Sequence, residues 1–92
     1  MSLSNYDFIL DSMSEAALYE QLAEECCELA HACLKKARLI RGENPTPLGS
    51  YDIDCMIEEE YTDVSLVSSM LDLNVDENMY WKKIDRWADR LA

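Results

Sequence analysis

The chain is poor in residues that break or staple a backbone: 92 residues contain two Gly, two Pro and one His. That scarcity excludes collagen-like and low-complexity classes, and a 49% hydrophobic fraction excludes intrinsic disorder. No apolar run approaches the length of a bilayer span. The first ten residues, MSLSNYDFIL, carry acid where a signal peptide carries base, so a cytoplasmic protein is expected. Basic residues are also few. Eight Lys and Arg face nineteen Asp and Glu, a net charge of −11, which excludes a direct, metal-free grip on a nucleic acid polymer or an anionic membrane. There is no CxxC. Of the four cysteines, Cys26, Cys27 and Cys33 fall in a helical stretch where disulfide geometry is poor, and Cys55 stands apart. They are expected to be reduced thiols, mostly small core residues. Cys27 and His31, one helical turn apart, supply only half of a zinc site.

What is present is helical periodicity. Residues 5–11, with Tyr6, Phe8, Ile9 and Leu10, suit a short leading helix. Ser12 followed by Glu15 has the form of a capping box opening a first long helix. Apolar residues then recur at Leu18, Leu22, Cys26, Leu29, Ala30, Cys33, Ala37 and Ile40. A stop is expected at Arg41-Gly42, after basic residues that suit the helix dipole. Gly42 to Gly49 holds every Gly and Pro of the chain and reads as a loop. A second long helix is expected over 51–73, capped by Ser50 or Asp52, with Ile53, Met56, Ile57, Val64, Val67 and Leu71 as its buried stripe. Asp76 can cap a last helix reaching Leu91, with Tyr80, Ile84, Trp87, Ala88 and Leu91 on one face. The expected fold is one all-α domain over 1–92, an antiparallel bundle of three to four helices. A chain this small cannot hide so much apolar surface alone, so completion by self-association is expected.

Two carboxylate clusters stand out. Glu25 and Glu28 lie three residues apart on the first long helix, as do Glu60 and Asp63 on the second. Like charges at that spacing repel, so neither helix gains by holding them. Both pairs border apolar stripes, and antiparallel packing can bring all four together, where Mg²⁺ or Mn²⁺ would stabilise them through oxygen ligands. In so acidic a chain such pairs also arise by chance, and Glu58 to Glu60 reads equally as a solvated run.

The order Glu24-Glu25-x-x-Glu28, a loop, then Glu60-x-x-Asp63 before Val64-Ser65-Leu66-Val67 resembles the EExxE…ExxD pattern of the MazG-like, all-α nucleoside triphosphate pyrophosphohydrolases. The resemblance runs from about Leu22 to Leu71. It implies that Glu25, Glu28, Glu60 and Asp63 hold Mg²⁺ (or Mn²⁺), with Glu24 steering the attacking water. It also implies a homodimer or homotetramer that cleaves a (d)NTP into (d)NMP and pyrophosphate. Such relatives carry Lys, Asn and Arg on the last helix; here Lys83 and Arg90 fit, and Trp87 sits near the place of the Asn. Lys83, Arg86 and Arg90, with Lys35 or Arg38, are the candidates for steadying phosphates, although basic residues near helix C-termini also serve the dipole. Phe8 or Tyr6 can stack on a base, and Tyr19 and Gln21 are further base contacts to consider. Trp81, Trp87, Tyr61 and Tyr80 read as core or dimer packing.

Two rival readings stand beside this one. Glu28-Leu29-Ala30-His31 is an ExxH of the di-iron carboxylate bundles, with Glu60 or Asp63 adding ligands, although the second long helix has no matching ExxH. A non-catalytic acidic helical module, dimerising through its apolar stripes, needs no metal at all.

Overall fold

The computed structural model describes residues 3–43 and 49–92, and these form four helices and no strand. They are α1 (Leu3–Ser12), α2 (Glu15–Arg41), α3 (Ser50–Met70) and α4 (Glu77–Leu91). The all-α class follows the sequence reading. Most of the expected loop, residues 44–48, lies outside the described residues.

The ends of the helices are set by local chemistry. Ser14, not Ser12, caps α2, its hydroxyl accepting from the Ala17 N–H at 3.1 Å. Ser12 instead closes α1, its Oγ donating to the Phe8 carbonyl at 2.6 Å. At the other end Gly42 takes a left-handed conformation (φ 72°). Its N–H reaches the Leu39 carbonyl and that of Glu43 reaches Arg38, the double bond of a Schellman stop. The same device ends α3 three residues before the expected position. Asp72, at φ 55°, stands in the place glycine usually fills, with Asp72 and Leu73 donating back to Ser69 and Ser68. Asp tolerates that region better than most residues do. At the start of α3 the Asp52 carboxylate accepts from the Gly49 N–H at 3.4 Å. Asp76 caps α4 as expected, accepting from Met79.

The extensive packing among the described helices is between α2 and α3. Late α2 meets early α3, where Lys36 Nζ lies 2.7 Å from both Asp54 Oδ1 and Ser50 Oγ. Early α2 meets late α3, so the pair is antiparallel. Its core is Leu18 and Ala32 from α2, with Ile53 and Val67 from α3. The expected α3 stripe is buried or half-buried throughout. The expected α2 stripe is partly overturned: Cys26, Ala30, Cys33 and Ile40 are exposed, because the face turned to α3 passes through Leu18, Gln21, Glu25 and Ala32. All four cysteines are exposed free thiols, so they are not core residues. α1 bears on late α3 through a Tyr6 Oη to Ser69 Oγ contact of 3.1 Å.

Every residue of α4 is exposed. Trp81 and Trp87 are 57% and 63% accessible, and Tyr61 and Tyr80 are also open, so none of these aromatics is core within one chain. The radius of gyration is 17.0 Å, against about 12 Å for a compact chain of this length. The accessible surface is 7568 Å², roughly 2,000 Å² above that of a typical monomer of this mass. No helix among the described residues is long and apolar enough to cross a membrane.

Candidate metal centre

The two helices place carboxylates inside their own packing seam. Glu25 lies seven residues after buried Leu18 and seven before buried Ala32; Glu60 lies seven after Ile53 and seven before Val67. Seven residues are close to two helical turns, so each glutamate occupies a position that the repeat assigns to the core. Asp63, three residues beyond Glu60, shares that side of α3. One carboxylate oxygen from each of Glu25, Glu60 and Asp63 falls within 4.8 Å of the others, and all three residues are half-buried. Opposite oxygens of a Mg²⁺ shell are about 4.2 Å apart and those of Ca²⁺ about 5 Å, so these three span the shell of one hard cation.

The hydrogen bonding is incomplete in an informative way. Gln21 Nε2 donates to Glu25 Oε1 at 2.7 Å and fixes the direction of that side chain. Glu25 Oε2 and Glu60 Oε2 are shut off from solvent and accept no hydrogen bond from the protein. Closing off anionic oxygens without donors is costly, and a cation is the partner that removes the cost for several at once. The same crowding acts on the proton of Glu60. Burial, a side-chain hydrogen bond with Glu28, and the negative charges of Glu28, Asp63 and Glu59 hold its carboxyl above its ordinary value. The residues present therefore fit a hard divalent ion.

The other expected site residues fall at different distances from this centre. Glu28 is exposed and stands beside Glu60 at the rim, lining a cavity with it. Glu24 is exposed and outside the group of three. Lys35 and His31 line the same cavity as Glu28, whereas Arg38 does not. Lys83, Arg86 and Arg90 lie on the exposed α4 and line neither cavity that adjoins the carboxylates. The group of three contains no histidine, which separates it from the ExxH pairing of Glu28 with His31. Gln21 is the residue whose part the sequence did not disclose as a carboxylate partner. Its position four residues before Glu25 was the available signal.

Comparison of the chain with models of known families, with curated proteins and with solved structures finds no match.

Proposed function

We propose that this protein is a Mg²⁺-dependent nucleotide pyrophosphohydrolase that converts a (d)NTP into (d)NMP and pyrophosphate, as the MazG-like resemblance implies. The observation that carries the reading is the convergence of Glu25, Glu60 and Asp63 around two buried oxygens that have no donor. Bound there, Mg²⁺ or Mn²⁺ would neutralise carboxylates and incoming phosphates and polarise the phosphoryl oxygens. Glu25, Glu60 and Asp63 would hold the ion, with Gln21 keeping Glu25 in line and Glu28 adding charge from the rim. By the resemblance, Glu24, which lies outside the cluster, would steer the attacking water or take its proton. Lys35, near Glu28, meets phosphate oxygens.

Lys83, Arg86, Arg90 and Arg38 join them through assembly with a second copy, giving a homodimer or homotetramer in the cytoplasm. Charge favours that pairing. Residues 77–92 carry four basic against three acidic side chains, a net +1, while residues 1–76 carry −12. The surplus accessible surface is of the size that stable dimers bury.

The test is a screen of nucleoside triphosphates with Mg²⁺, detecting monophosphate and pyrophosphate. Glu25→Gln and Glu60→Gln should each lower the rate by at least about 10²-fold. Pyrophosphate release unchanged in both variants would overturn the assignment. A Mg²⁺-indifferent dimer with no turnover would be the non-catalytic module.

A further inference from the structure

Two cavities with different side chains on their walls meet the carboxylates from opposite ends of the α2–α3 seam. One, of about 200 Å³, is lined by Glu25 and Asp63 and walled by Ile9 of α1 and Met13 just beyond it, with Leu66 and Met70 of α3. Apart from the two acids, the one polar side chain lining it is Gln21, already bound to Glu25. The other, of about 170 Å³, has Glu28 and Glu60 on its wall together with His31, Lys35 and Met56. It brings an ammonium and an imidazole beside the acids, where the first brings thioether and aliphatic carbon.

We propose that a bound nucleotide lies along the α2–α3 seam, its base in the aliphatic cavity under α1 and its outer phosphates in the cavity of Lys35 and His31. The inference rests on the pyrophosphohydrolase reading and adds direction and base recognition to it. A phosphate chain placed among Ile9, Leu66 and Met70 would lose its hydration with no donor in return, whereas Lys35 offers three N–H groups. A planar base gains by leaving water for those apolar walls. The volume suits a base alone rather than a whole nucleotide, because cavities enclosing larger ligands run from about 300 Å³ upward. Because its one amide spends an N–H on Glu25 and its two acids turn oxygens toward the shared carboxylate cluster, the cavity reads a base by fit more than by its hydrogen-bonding edge. Apolar pockets of that kind discriminate by about 10–200-fold, against 10⁴–10⁵ for sites built to hydrogen-bond a substrate.

The test uses the full chain with ¹³C-labelled methionine methyl groups and Mg²⁺, each signal assigned by a Met→Leu substitution. Met13 and Met70 report the aliphatic cavity and Met56 the cationic one. Inorganic pyrophosphate should shift Met56 and leave Met13 and Met70 in place. A non-hydrolysable nucleoside triphosphate analogue should shift all three. Adenine and hypoxanthine analogues, equal in size but opposite at the hydrogen-bonding edge, should bind within about 10²-fold of each other. An analogue that moves Met56 alone, pyrophosphate that moves Met13 and Met70, or a larger ratio between the two purines overturns the inference while leaving the reading of the metal centre intact. An analogue that moves none of the three with Mg²⁺ present overturns both.

Discussion

The α2–α3 pair and α4 are written in the same amphipathic pattern and end in different situations. In the pair, Leu18, Ala32, Ile53 and Val67 are buried by their neighbours in the chain. In α4, Tyr80, Ile84, Trp87 and Leu91 form as regular an apolar face, and all four are exposed. The contrast shows that periodicity specifies a helix with a face to cover but does not say what covers it. It also separates two uses of charge. The pair half-buries acid in its seam at positions where a core residue belongs, an arrangement that a cation would relieve; α4 surrounds its apolar face with half of the chain's basic residues, so it suits an acidic surface.

The widest separation between the two regions should appear in folding stability. Ile53 is fully buried, and Ile53→Ala should cost about 2–5 kcal/mol in urea unfolding. Ile84→Ala, studied at dilutions where the chain is monomeric, should cost less than about 0.5 kcal/mol. Equal losses would mean that α4 packs on its own chain in solution. The order should reverse for assembly. Trp87→Glu puts a charge at the middle of the α4 face and should weaken self-association by 30-fold or more, equivalent to about 2 kcal/mol, in sedimentation equilibrium. The helical content of the α2–α3 pair should be unchanged. An unaltered oligomer would remove the α4 face from the assembly.

A smaller effect follows from the raised Glu60. A carboxyl that holds its proton more tightly folded than unfolded adds stability below its unfolded pKa, and that stability is lost as pH rises through the folded value. In metal-free protein, Glu60→Gln should therefore gain stability relative to the unsubstituted chain as pH rises from 4 towards 7. Saturating Mg²⁺ should reverse the ranking at neutral pH, because the glutamine cannot supply the anionic ligand. Thermal unfolding in chelator and in Mg²⁺ reads both. A gap independent of pH would show that Glu60 does not feel its neighbours.

Much of this was legible in the residues themselves. Gly42 placed the end of α2 because a left-handed stop suits glycine, and Asp76 placed the start of α4 because its carboxylate meets an unpaired N–H. Asp72 hid the end of α3, since a left-handed Asp leaves no signature like glycine's. The cysteines misled because small apolar residues at helical spacing look like core whichever side of the helix they occupy. Glu25, Glu60 and Asp63 were visible as acids beside apolar stripes. That Glu25 and Glu60 replace core residues in a seven-residue repeat, and that Glu28 stands at the rim, needed the α2–α3 register. The register depends on two helices at once, and a stripe read from one helix is uncertain by the 100° that separates successive residues.

The finest distinction between the two regions lies in their caps, which have the same chemistry. Ser14 Oγ accepts from Ala17, and Asp76 Oδ1 accepts from Met79 at 2.9 Å. Removing either acceptor leaves one helix N–H without its partner, typically worth about 1 kcal/mol. In α2 that loss belongs to the cooperative unit, because Leu18 in the first turn is buried and the helix cannot fray without opening the core. Ser14→Ala should therefore lower global stability by about 1 kcal/mol. In α4 no buried residue ties the first turn to the pair, so Asp76→Ala should leave global unfolding of the monomer unmoved. Its cost should instead appear as faster amide exchange over the first turn of α4, a local opening below the global one. A global loss from Asp76→Ala equal to that from Ser14→Ala would place α4 inside the same cooperative unit and erase the contrast.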